Sequence, residues 1–96
     1  MRSHSVFFTL KSPAMSPQAQ QFLADAQVLA TIPTVQRFEQ VRQVSATNGF
    51  QYGFIMAFDD QAAYDAYTVH PLHERFVRER WQVEVAAFLE IDHVPL

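Results

Sequence analysis

The segment Phe50 to Phe58 constrains this chain most. Side chains alternate across a β-strand, so Tyr52, Phe54, Met56 and Phe58 fall on one face and Gly53, Ile55 and Ala57 on the other. Both rows are apolar, so both faces of the resulting sheet need cover. Helices on one side can supply half of that. The small residues of the second row suit close approach by another surface, and the simplest such partner is a second copy of the chain. With 96 residues, 49% of them hydrophobic and nine of them Phe, the chain reads as one domain, residues 1–96, with apolar surface beyond what a small core needs. So many aromatics imply either a ligand cavity or a large apolar interface in addition to the core.

The rest of the sequence supplies partners for that strand. His4 to Lys11 alternates likewise, with His4, Val6, Phe8 and Leu10 on one face and Phe7 and Thr9 on the other. Ser16-Pro17 is an N-cap followed by a first-turn proline, which opens a helix through about Thr31 with Phe22, Leu23, Ala26, Leu29 and Ala30 as its apolar stripe. Thr34 to Ser45 is expected to be a long, partly exposed strand, and Asn48-Gly49 a turn. Asp59 and Asp60 cap a helix through Tyr67, a further helix begins at Pro71, and Val83 to His93 forms a last strand. The order is strand, helix, strand, strand, helix, strand. It predicts an α+β, ferredoxin-like split β-α-β fold (β-α-β-β-α-β), with a four-stranded antiparallel sheet covered by helices on one face.

A net charge of −3 and a pI near 5.7 give no electrostatic footprint for nucleic acid. Arg75 and Arg78 alternate with Glu74 and Glu79 at i,i+4 spacing, the pattern of a solvated helix face. Cysteine is absent, which excludes a disulfide framework, a thiol nucleophile and thiolate metal sites. The apolar run Val6 to Leu10 is too short for a signal peptide or a membrane span, so a soluble, cytoplasmic protein with no membrane partner is expected.

Chemistry concentrates in Tyr67-Thr68-Val69-His70-Pro71-Leu72-His73. Proline ends the incoming helix near Val69 and starts a new one, so His73 falls in a first helical turn. The positive field there disfavours imidazolium and leaves a ring able to accept a proton. Tyr67 can turn its phenol toward the same space. His70, held extended by the proline, is a helix-cap or hinge residue at the pocket's border. His4 is either a polar group of the pocket or a satisfied core histidine. The stripe Tyr52, Phe54, Met56 and Phe58 can serve as core or as cavity wall. His70-x-x-His73 lacks a third ligand at a known position, so no metal and no cofactor is expected.

Taken together, His4-Ser5-Val6-Phe7-Phe8-Thr9-Leu10-Lys11, Ile32-Pro33 with Phe38-Glu39, Phe58-Asp59-Asp60, Ala66-Tyr67, His70-Pro71-Leu72-His73, Phe76 and Asp92 resemble the stress-responsive A/B barrel (Dabb) family along nearly the whole chain. The resemblance implies a ferredoxin-like protomer that dimerises sheet on sheet into an α+β barrel. In a plant polyketide cyclase of this fold the catalytic pair is a tyrosine and a histidine that match Tyr67 and His73, and a first-strand histidine in the same cavity matches His4. From His73 to Asp92 this chain is one residue longer than that cyclase, and Trp81 to Ala87 departs from its pocket wall. Glu90 could direct its carboxylate into the cavity or, after a bulge, outward.

Three functions follow as expectations. The first is a cofactor-independent cyclase or lyase-type enzyme on a small aromatic or polyketide-like carbonyl compound, with cofactor-free monooxygenase chemistry as a variant. The second is a binding module for a small hydrophobic ligand. The third is a structural stress-response homodimer. In the first two, Tyr67 and His73 share a cavity walled by Val6, Phe8, Leu23, Phe54 and Phe88, with His4 and His70 as its further histidines.

Overall fold

In the computed structural model, which describes residues 1–96, the elements follow the predicted order. Strand β1 is Arg2–Leu10, helix α1 Pro17–Asp25, β2 Gln36–Arg42, β3 Tyr52–Phe58, helix α2 Gln61–Thr68, helix α3 Pro71–Phe76 and β4 Val85–His93. The sheet order is β2-β3-β1-β4 with every neighbouring pair antiparallel, a four-stranded ferredoxin-like α+β fold.

Register puts the apolar rows in phase. His4 lies opposite Met56, Val6 opposite Phe54 and Phe8 opposite Tyr52 across β1 and β3. On the other side, His4 faces Asp92, Val6 faces Glu90 and Phe8 faces Phe88. These residues share the helix-covered face, where a core of 14 buried residues is centred on Phe8, Phe22, Phe54 and Phe58. Phe8 and Phe54 pack edge to face at 4.8 Å, a preferred aromatic geometry.

Capping sets the helix starts. Ser16 Oγ accepts from the Ala19 amide at 3.2 Å with Pro17 in the first turn, and Asp60 Oδ1 accepts from the Ala63 amide at 2.9 Å. Beyond Asp25 the first helix tightens to a 3₁₀ helix over Ala26–Thr31, which turns Ala26, Leu29 and then Ile32 into the core. Beyond Phe76 the third helix widens to a π-helical turn, Val77–Trp81, before a last turn, Gln82–Glu84. The chain fits one more residue into such a turn than an α-helix would, and Trp81 comes to rest 5.0 Å from Phe8 and 5.6 Å from Phe88.

Two expectations change. The second strand is shorter than Thr34–Ser45, running only from Gln36 to Arg42. It carries an irregularity between Gln36 and Glu39, where Arg37 has φ 53°. Its link to β3 is a nine-residue loop in which the Asn48 side chain accepts from the Phe50 amide at 3.0 Å. Gly49 is not left-handed, and the turn expected at Asn48-Gly49 is an Asx turn. On the solvated helix, Arg75 pairs with Glu79 at 3.1 Å as expected, and Arg78 also leans to Glu79, at 3.9 Å, rather than to Glu74. Arg80 bridges Glu84 and Asp25, tying the last helical turn to the end of α1.

The opposite sheet face is uncovered. Phe7 lies directly across from Gly53, and a Cβ at Gly53 would come within 2.5 Å of the Phe7 ring. Ile55, Val41, Leu89 and Ile91 share this face by register, with Leu89 and Ile91 each about half exposed.

Candidate functional site

Between helices and sheet lies a cavity of about 360 Å³, within the range of small-ligand sites. Its floor is His4, Val6, Phe54, Met56, Phe88 and Glu90 from the sheet. Tyr64, Tyr67, Thr68, His73, Phe76, Val77, Trp81 and Gln82 form its roof, with Leu29 at one side.

The proline break shapes the roof. Helix α2 ends at Thr68. His70, with extended backbone, caps α3 through its ring, whose Nδ1 accepts from the Leu72 amide at 3.1 Å. Pro71 restarts the helix, and His73 folds back under the end of α2 so that its Nδ1 lies 3.0 Å from the Thr68 carbonyl oxygen. A carbonyl only accepts, so Nδ1 carries the proton and donates it. The other ring nitrogen, Nε2, is left with a free lone pair. The Tyr67 ring stands 4.4 Å from that of His73.

Electrostatics suit a base beside a neutral donor. Burial lowers the pKa of His73 and outweighs the Thr68 carbonyl, which raises it; His4 adds a further lowering, and Glu74 and Glu90 smaller raising effects. Burial in the apolar cavity is thus the main cause. The Tyr67 phenol is raised, first by burial and then by Tyr64 and Glu90, so it stays protonated and can donate.

His4 sits at the sheet end of the same space. It is 7% exposed, its ring is 6.2 Å from that of Tyr67, and its Nδ1 meets Asp92 Oδ1 at 2.5 Å. Both of its anticipated roles are combined, since it lines the cavity while its Nδ1 is satisfied. Arg2 closes the row with a 3.2 Å ion pair to Asp92. His4, Glu90 and Asp92 bring metal-competent atoms within 4.8 Å of one another, a mixed nitrogen and oxygen set that a divalent cation could use. His70, His73 and Glu74 form no such group.

Of the wall residues expected from sequence, Val6, Phe54 and Phe88 line the cavity, and so do His4, Tyr67 and His73. Phe8, Leu23 and His70 do not. Phe8 is fully buried beneath Trp81 and Phe22, Leu23 packs against the outer side of the core, and His70 is spent on its cap. Leu29, Tyr64, Thr68, Phe76, Val77 and Gln82 were missed, Met56 and Trp81 were left open between core and wall, and Glu90 was left undecided. Tyr64 was legible, three residues before Tyr67 on one helix face. Met56 was legible as the next member of the Phe54 row. The bulge that could have reversed Glu90 falls at Ala86, where β4 slips against Thr9 and Leu10. Phe88, Glu90 and Asp92 therefore keep the inward phase.

The stress responsive A/B barrel domain family matches residues 3–95. The chain belongs to that family. A crystallised Dabb protein with a ferredoxin-like fold from Mesorhizobium loti is 50% identical to it, covering 99% of this chain and 96% of that one, with a TM-score of 0.98. At lower identity the Dabb fold recurs in a hydroxynitrile lyase from Passiflora edulis, at 17% identity and TM-score 0.83 over 99% of this chain and 93% of that one. It recurs again in a dimeric ferredoxin-like protein of unknown function from Thermobifida fusca, at 16% and 0.78 over 98% and 90%. No curated protein matches the Dabb chain. None of its helices is long and apolar enough to cross a membrane.

Proposed function

We propose that this Dabb protein binds a small aromatic or polyketide-like carbonyl compound between Tyr67 and His73 and, without a cofactor, removes a proton from the carbon beside the carbonyl. The observation that carries this reading is the 3.0 Å contact of His73 Nδ1 with Thr68, which leaves Nε2 as an oriented, unprotonated base beside a phenol. The proton passes to Nε2, the electron pair moves onto the carbonyl oxygen, and the Tyr67 hydroxyl donates to that developing enolate. In ring closure the enolate carbon attacks a second carbonyl, whose oxygen takes the proton back from His73. Cleavage of a hydroxynitrile, the reaction named for the Passiflora edulis relative, would use His73 on the hydroxyl proton: the oxygen's electron pair forms the carbonyl as the bond to the nitrile carbon breaks, and the departing cyanide takes the proton back from His73 as hydrogen cyanide.

The same reading includes a second copy. One four-stranded sheet cannot close a barrel alone, the uncovered face is apolar, and the Thermobifida fusca relative is described as dimeric.

The test is α-deuterium exchange of aryl ketones and 1,3-diketones in D₂O, followed by NMR, alongside release of aldehyde from aromatic hydroxynitriles. Turnover that falls by ~10²–10⁴-fold in His73→Ala supports the reading. Binding with no exchange and no cleavage moves the protein to a ligand-binding role.

A further inference from the structure

Among the residues that line the cavity, Glu90 is the one carboxylate, and neither lysine nor arginine is present. Arg2 is engaged elsewhere, ion-paired to Asp92 at 3.2 Å and stacked over the Tyr64 ring at 3.9 Å. The His4 Nδ1 proton already goes to Asp92, at 2.5 Å against 3.6 Å to Glu90. The Tyr64 hydroxyl donates to Glu90 Oε1 at 3.3 Å, which leaves most of the acceptor capacity of that carboxylate unused. His73, whose Nδ1 is spent on the Thr68 carbonyl, lines the same space and keeps an unprotonated Nε2 in its neutral form.

We propose that Glu90 sets the ligand class, so that the cavity takes uncharged or cationic aromatic compounds bearing a hydroxyl or amine and rejects aromatic carboxylates. An anionic group at this end would find no lysine or arginine and would face the Glu90 carboxylate at short range. A hydroxyl or ammonium group would find an ionised acceptor, which makes the stronger kind of hydrogen bond. The apolar remainder, Val6, Leu29, Phe54, Met56, Phe76 and Trp81, accommodates the ring.

The proposal rests on this cavity being the ligand site, and the experiment separates the two. Trp81 is the single tryptophan of the chain and lines the cavity, so its fluorescence reports occupancy. Three probes of similar size are titrated at neutral pH: 2-phenylethanol, 2-phenylethylamine and 3-phenylpropanoate. The carboxylate is expected to bind about tenfold or more weaker than the other two, and Glu90→Gln to bring it close to the alcohol. Glu90 is exposed at the cavity mouth and Gln has its shape, so folding is retained. Equal or tighter binding of the carboxylate overturns the selection, and so does an unchanged ranking in Glu90→Gln. A response to all three probes without discrimination leaves the ligand site standing and removes only the role of Glu90. No response to any of them removes both.

Discussion

His73 donates from Nδ1 to the carbonyl of Thr68, five residues earlier, across a break that only a proline at position 71 keeps open. A main-chain acceptor does not titrate, so this bond fixes the tautomer of the neutral ring.

A pH dependence follows for activity and for stability. Activity should rise with pH through an ionisation below the ordinary histidine value of about 6.5, because burial lowers the pKa of His73 and the neutral ring is the base. Below about pH 6.5 the unfolded chain takes up a proton that the folded chain refuses. Stability should therefore fall as pH drops from there toward the lower folded value. Thermal melts between pH 5 and 8 should show this slope, and His73→Gln should reduce it.

Tyr67→Phe should separate rate from binding. The hydroxyl belongs to a phenol that burial keeps protonated, and its donation strengthens only as charge develops on the ligand. Loss of such a donor typically lowers kcat by ~10²–10³-fold, with KM and melting temperature nearly unchanged. A comparable loss of ligand affinity would assign Tyr67 to binding instead.

His70→Ala should act on stability alone. It removes the acceptor for the Leu72 amide at the start of α3, a loss of about 1 kcal/mol. His70→Asn, which keeps a capping oxygen, should restore most of it in chemical denaturation. A large change in kcat with unchanged stability would bring His70 into the reaction.

Gly53→Ala should destabilise by ~1–3 kcal/mol, because its Cβ would meet the Phe7 ring at 2.5 Å. Shrinking the ring in a Phe7→Leu background should relieve most of that penalty, and a double-mutant cycle measures the coupling. Strictly additive effects would mean that the ring moves aside freely.

The proposed dimer is best tested at Ile91 rather than at Ala57. Ala57 is already 6% exposed in the single chain, so Arg there would disturb the fold itself. Ile91 is 49% exposed, and Arg there is tolerated by a lone protomer but not inside a closed apolar interface. Light scattering should find Ile91→Arg monomeric and folded. A stable dimer in that variant would locate the interface elsewhere.

Much of this was legible because strand alternation is strict. One register error would turn His4, Val6, Phe54 and Phe88 outward together, and the two-residue period of β1 and β3 excludes that error. The capping residues Ser16, Asp60 and His70 were legible for the same local reason. What escaped depends on helix pitch. Leu29 reaches the cavity through the tightening at Ala26, and Trp81 through the widening at Val77, and neither change follows from an apolar stripe of fixed period. Phe8 was assigned to the wall because it shares the row, but Trp81 closes that end of the sheet over it.

Within the seven residues from Tyr67 to His73, the rings of His70 and His73 bond to the segment's own backbone, while the strands and the last helix provide most of the remaining wall. In the proposed reaction, proton transfer and ligand recognition are therefore carried by separate stretches of chain. Changes at Val6, Met56 or Phe88 can reshape what enters without disturbing the base. A lineage built on this plan can diversify its ligands one strand position at a time and keep the same proton transfer throughout.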